Sequence, residues 1–67
     1  MIGFELIGWQ EYRVFLGNWP GATVGKVLLV APADWVFTGG GVIAHGQTKR
    51  EAAYRGLYMN EYKGGVI

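Results

Sequence analysis

Few side chains in this 67-residue sequence could carry out nucleophilic or acid–base chemistry. The sequence has no serine or cysteine, one histidine and one aspartate. The hydroxyl nucleophiles reduce to three threonines, and one of these, Thr48, is needed to cap a helix. His45 has the chemistry of a general base, but nothing adjacent in sequence would orient its ring. We therefore expect no enzymatic activity, and hence no catalytic residue, cofactor, metal site or small-molecule substrate.

Two further chemical motifs lack the spacing they require. Catalysis by paired carboxylates needs two acidic groups that converge in one pocket, and Glu5, Glu11 and Glu61 show no motif spacing. A phosphate-binding loop needs a lysine and a Ser or Thr after its last glycine, at the start of a helix. The triple glycine at 39–41 leads instead into Val42 and Ile43. It is predicted to be a flexible turn.

Basic residues gather where the last helix is predicted to begin. Lys49 and Arg50 fall in its first turn, and Arg55 follows. Cations are not favoured at the positive end of a helix dipole, so these charges suggest an anionic partner. The net charge is only +1, below the excess usual in strongly basic nucleic-acid binders. Nucleic-acid binding through Lys49, Arg50 and Arg55 is therefore the alternative function.

Aromatic residues provide the other candidate surface. The chain is 51% apolar and 15% aromatic, a heavy load for so small a protein. Trp19 lies in a turn before Pro20, and Tyr54, Tyr58 and Tyr62 recur at every fourth position of the predicted helix. Tyrosine and tryptophan are enriched at interface hot spots. The leading hypothesis is a non-catalytic interaction module in which these four residues bind a protein, either a second copy or a host protein.

The elements that must position these residues are mostly strands. Alternating apolar residues predict strands at 2–8 and 12–16, and a β-branched, leucine-rich run predicts a third strand at 26–31. Two further β segments, 35–38 and 42–45, flank the triple glycine, as a hairpin or as one long strand with a bulge. The fold class is α+β, with an antiparallel sheet of three to four strands and one C-terminal helix packed on it.

The helix start is marked by a capping box. The Thr48 hydroxyl is expected to accept the Glu51 backbone N–H, and the Glu51 carboxylate to reach back to the N–H of Thr48. Glu51 and Arg55 form a favourable i, i+4 pair. Small residues at 52 and 56 would let one helical stripe approach the sheet closely. The helix is predicted over 49–62, ending at Gly64, a natural left-handed cap.

Length and composition limit the remaining possibilities. Sixty-seven residues form a single domain, 1–67, that buries about 60% of the surface its unfolded chain exposes. Small domains without disulfides often oligomerise, so we expect a homo-oligomer or a protein partner. No apolar run approaches a membrane span and the N-terminus lacks the features of a signal peptide. These features predict a cytoplasmic protein.

The segment at 46–53 resembles the start of the last helix in double-stranded-RNA-binding domains. In that family, Gly-x-Ser/Thr-Lys-Lys-x-Ala-Lys follows the third strand, and its lysines clamp phosphates across a groove. Lys49 and Arg50 match two of the basic positions, whereas Ala53 stands at the third. The resemblance implies phosphate contacts by Lys49 and Arg50.

A broader resemblance spans most of the chain. The segments 12–17, 24–27, 35–37 and 46–53 are similar to those of small uncharacterised proteins of actinobacteria and their phages. HicB-type antitoxins are similar in outline, with a sheet followed by a Gly-x-Thr-x-x-Glu-Ala helix. These resemblances imply a small accessory protein, in the host cytoplasm if it is phage-encoded, with no defined activity.

Overall fold

The computed structural model describes residues 2–59. A five-stranded antiparallel sheet is followed by a short helical segment, which confirms the α+β class. Each strand pairs with the next one in the chain. The strands are β1 (Ile2–Gly8), β2 (Glu11–Leu16), β3 (Ala22–Ala31), β4 (Asp34–Gly39) and β5 (Val42–Gly46), and α1 (Lys49–Tyr54) continues into a π-helical segment, Arg55–Met59.

The prediction of three to four strands is wrong by one strand, because the triple glycine forms a tight hairpin turn. Gly39 pairs with Val42, so the loop between β4 and β5 has two residues. Those residues, Gly40 and Gly41, have φ angles of 58° and 80°. A type I′ turn needs positive φ at both central positions, which glycine adopts without steric cost. The hairpin is therefore the correct one of the two alternatives.

The third strand begins earlier than the predicted 26–31. Its pairing with β2 shifts register between Val14 and Phe15, whose partners are Gly25 and Thr23. Val24 is the extra residue of a bulge there. The alternation of apolar residues breaks at this bulge, so the sequence pattern becomes regular only after it.

One face of the sheet carries the helical segment and forms the core. Val27, Phe37 and Ala44 lie side by side across β3, β4 and β5 and are almost completely buried. Ala52 and Ala53 of α1 pack against this row. A methyl group on Gly56 would overlap the Phe37 ring. The small residues at 52 and 56 therefore do allow the close approach predicted from the sequence.

The helical segment is less regular than predicted. The α-helix ends at Tyr54, and the next five residues are π-helical. Gly56, the weakest helix former in this part of the chain, lies in that segment against the sheet. Tyr62 and the predicted end at Gly64 lie outside the described residues. Within residues 2–59, no helix is long and apolar enough to cross a membrane.

Candidate interaction surfaces

The second face of the sheet has no helix over it, and we call it the open face. Strand alternation and pairing place 14 side chains on it together with the loop residue Trp19. The strand residues are Glu5, Ile7, Glu11, Arg13, Phe15, Thr23, Lys26, Leu28, Val30, Asp34, Val36, Thr38, Ile43 and His45. Within residues 2–59 only the Trp19 loop covers part of this face, where it buries Phe15, and most of the other side chains are at least partly exposed.

Arg13 fixes the Trp19 loop to the open face. Its Nε donates to Glu5 Oε1 at 2.6 Å, its Nη1 donates to Thr23 Oγ1 at 2.6 Å and its Nη2 donates to the Pro20 carbonyl oxygen at 2.8 Å. The guanidinium lies 5.5 Å from the centre of the Trp19 ring. One arginine thus connects β1, β3 and the loop, and it holds Trp19 over the sheet.

The apolar side chains of the open face are unusually exposed. Of the nine large apolar residues exposed in the described part of the chain, five lie here. They are Ile7, Trp19, Leu28, Val30 and Ile43. The charges beside them are paired within the chain, since Lys26 contacts Glu11 at 2.9 Å and Arg13 contacts Glu5. The face therefore combines exposed apolar side chains with paired charges, and it is close to electrically balanced.

The predicted tyrosine surface lies on the other side of the molecule. Tyr54 and Tyr58 are half exposed, and their ring centres are 5.2 Å apart. They belong to the helical layer, whereas Trp19 packs against Phe15 on the open face with ring centres 5.6 Å apart. The structure thus brings two of the predicted protein-binding residues together and separates them from the third. Tyr62 lies outside the described residues.

The predicted basic surface is also divided. Arg55 turns towards β5, where its Nη2 lies 3.1 Å from Glu51 Oε2 and its Nη1 donates to the His45 carbonyl oxygen at 3.1 Å. Lys49 turns the other way, with its ammonium 4.8 Å from the centre of the Tyr12 ring. Arg50 follows Lys49, with its guanidinium 6.0 Å from the Phe4 ring. Only Lys49 and Arg50 share a surface.

The structure contains a histidine–carboxylate pair that was not predicted from the sequence. His45 Nδ1 lies 3.2 Å from Asp34 Oδ1 at the rim of a 410 Å³ cavity that Glu51 and Arg55 also line. The carboxylate beside His45 belongs to a residue 11 positions away, so no sequence neighbour orients the ring, as expected, but a residue of the adjacent strand does contact it. The hairpin alternative for residues 35–45 already implied this pair. Its register pairs His45 with Val36 and puts Asp34 diagonally opposite His45.

This cavity has no side chain, among the described residues that line it, that could serve as a hydroxyl or thiol nucleophile. Within residues 2–59, no three His, Asp, Glu or Cys side chains are close enough together to hold a metal ion. The pair of His45 and Asp34 is largely exposed and connects the end of β5 to the β3–β4 turn.

Of the two hydrogen bonds predicted for the capping box at the helix start, one is confirmed and the other has a different donor. The Glu51 N–H donates to Thr48 Oγ1 at 3.0 Å, as predicted. The Glu51 carboxylate accepts the N–H of Gln47 at 2.7 Å, one residue before the predicted donor. Thr48 has extended backbone angles, and this orientation brings the Gln47 N–H over the first turn.

Comparison of the chain with protein-family models, curated proteins and solved structures finds no match. The resemblances drawn from the sequence therefore stay expectations. Any function must be argued from the surfaces described above, and two of them are candidates: the open face, and the basic and aromatic surface around Lys49.

Proposed function

We propose that this protein is a non-catalytic interaction module that binds a second copy of itself through the open face of its sheet. The observation that carries the proposal is the cluster of exposed apolar residues on that face. Apolar side chains on a sheet face are stabilised when another layer buries them. Here the helical segment covers one face, and within residues 2–59 only the Trp19 loop covers part of the other.

The size of the face supports a second copy as the occupant. The molecule measures 34 × 27 × 16 Å, so its broad side is about 34 by 27 Å. A standard interface removes roughly 800 Å² from each partner, which is on the order of this whole side. Two copies packed face to face would form a sandwich in which the two sheets are about 10 Å apart.

The charges of the face support self-association over a strongly charged partner. Arg13 and Lys26 are each neutralised by a glutamate of the same chain. In a two-fold dimer the same patch occurs on both copies and must be complementary to itself. A face whose charges are already paired meets its own copy without net repulsion. Trp19, held over this face by Arg13, is the predicted protein-binding residue that belongs to the proposed interface.

The small size of the core also supports self-association. Within the described residues, the only large side chains that are completely buried are Val14, Val27 and Phe37. A chain of this size is marginally stable, because it buries little apolar area on folding. Oligomerisation is a common way to increase the buried area. The proposal includes a cytoplasmic location, which the absence of cysteine supports. It also includes the role of an accessory protein, which the resemblance to small actinobacterial and phage proteins supports.

The test is the mass in solution, measured by light scattering over a concentration series. The wild-type protein is expected to have twice the 7.4 kDa mass of the chain. Ile43→Lys and Val30→Lys place a charge at positions 50% and 52% exposed on the open face and should give monomers. Tyr54→Lys is the matched control, since Tyr54 is 51% exposed on the helical layer.

The control should remain dimeric, and circular dichroism should show that all three variants are folded. A wild-type protein that is monomeric at every concentration would contradict the proposal. Equal dissociation of the Tyr54→Lys control would also contradict it, because the interface would then not be confined to the open face.

A further inference from the structure

A second surface lies on the helical side of the sheet, where the Lys49 side chain at the start of α1 reaches rings of β1, β2 and β4. The Lys49 ammonium faces three aromatic rings there, at 4.8 Å from the centre of Tyr12, 5.6 Å from Phe4 and 5.7 Å from Trp35. The Tyr12 and Trp35 rings are themselves 6.0 Å apart. Three rings from three different strands therefore form one aromatic floor next to the start of α1.

A cavity opens beside this floor. It has a volume of about 260 Å³ and is lined by aromatic, basic and polar groups. The lining residues are Phe4, Trp35, Gln47, Thr48, Lys49 and Arg50. Phe4 and Trp35 are only partly buried, so their rings are accessible from the cavity. The cavity thus brings two aromatic rings and two cations together.

The two cations differ from the others in residues 2–59. Arg13, Lys26 and Arg55 each form an ion pair with a glutamate. Within the described residues, Lys49 and Arg50 form no ion pair and stand next to each other over the aromatic floor. They make this a positively charged spot, and the described residues that line it include no carboxylate.

We propose that this surface binds single-stranded nucleic acid, with one base against Phe4 and Trp35 and the adjoining phosphates at Lys49 and Arg50. Stacking platforms flanked by basic side chains are the usual means by which proteins bind unpaired strands. A duplex keeps its bases stacked inside the helix and offers only phosphates and groove edges. The aromatic floor would have no role with a duplex, so the combination of rings and cations favours an unpaired strand.

The first test measures the affinity for a fluorescently labelled 12-residue oligothymidylate by anisotropy, between about 50 and 200 mM salt. For single strands, each phosphate contact contributes about 0.7 to the slope of log affinity against log salt. Lys49→Gln and Arg50→Gln should each lower the slope by that amount and weaken binding several-fold at the lowest salt. Lys26→Gln makes the same charge change on the open face and should leave both quantities unchanged.

A second variant separates stacking from charge. Phe4→Leu keeps an apolar side chain on β1 but removes the ring. It is expected to weaken binding about tenfold, with the salt slope unchanged, because a stacked base contributes without releasing counterions. Trp9→Leu is the control for a general loss of aromatic surface, since Trp9 is exposed in the β1–β2 turn, away from the cavity.

Three results would overturn the proposal. They are the absence of binding at the lowest salt, an equal loss in Lys26→Gln, and an equal affinity for a duplex of the same sequence. The proposal does not depend on self-association, because the two surfaces lie on opposite sides of the sheet. A monomeric Ile43→Lys variant should bind the oligonucleotide as wild type does.

Discussion

Gly56 lies directly over the ring of Phe37, so close that a methyl group on Gly56 would overlap the ring. Alanine is the better helix former by about 1 kcal/mol, and helix propensity alone would favour Gly56→Ala. We expect the opposite result, a loss of about 1 to 3 kcal/mol in the free energy of unfolding, because the added carbon overpacks the core. Urea denaturation followed by circular dichroism measures this change.

The matching control shortens the ring side chain. Phe37→Leu should be destabilising by itself, since it leaves a cavity. In the double variant with Gly56→Ala, the total loss should be smaller than the sum of the two single losses, because the new methyl group occupies part of that cavity. If the two losses of unfolding free energy were strictly additive, the methyl group at position 56 and the ring at position 37 would not compete for the same space.

Arg13 is expected to contribute far more to stability than Lys26, although both pair with a glutamate on the same face. Arg13 donates three hydrogen bonds and its side chain is 19% exposed, whereas the Lys26 side chain is 55% exposed. Arg13→Lys loses the planar fork and should lower the free energy of unfolding by about 1 to 2 kcal/mol. Lys26→Gln should change it by less than about 0.5 kcal/mol. Similar effects of the two changes in denaturant titrations would refute this ranking.

In the turn between β3 and β4, replacing one residue by glycine should stabilise the protein. Ala33 has a φ of 57° at the second central position, after Pro32, where a type II turn favours glycine. Ala33→Gly should raise the free energy of unfolding by about 0.5 kcal/mol, since the relief of steric strain exceeds the added entropy of the unfolded chain. Ala22→Gly, in extended backbone, should lower it by about the same amount. Thermal melts of the two variants should therefore shift in opposite directions.

The Thr48 cap gives a fourth prediction. Thr48→Ala removes the acceptor of the Glu51 N–H and should cost about 1 kcal/mol of unfolding free energy. Thr48→Ser keeps a hydroxyl at the same place and should stay within a few tenths of wild type. Chemical denaturation compares the three proteins, and an equally large loss in the serine variant would show that the methyl group, not the hydroxyl, is what matters.

Local features of the fold were predictable because their causes are local. The strand at 2–8, the threonine cap and the close approach of Gly56 each follow from residues near one another in the sequence. The strand count was not predictable, since a triple glycine suits both a bulge and a type I′ turn. Only the pairing of Gly39 with Val42 distinguishes them.

The candidate sites depended on contacts between distant parts of the chain. Lys49 is far in sequence from Phe4 and Tyr12, so the composition of the helix start says nothing of the aromatic floor beneath it. The pairing of Arg55 with Glu51 was predicted from the i, i+4 spacing and is present, and it draws Arg55 away from Lys49. On a helix that packs against a sheet, neighbouring cations reach different sides of the molecule.

The order of the strands determines how the chain can fold. Every strand pairs with the one before it, and three of the four connections are turns of two residues. Such a topology has a low contact order, which favours rapid folding because little loop entropy is lost before each pairing is made. The sheet can grow one hairpin at a time. The helical segment can dock fully only after β4 and β5 have met, because its π-helical part packs on these two strands, with Gly56 over Phe37.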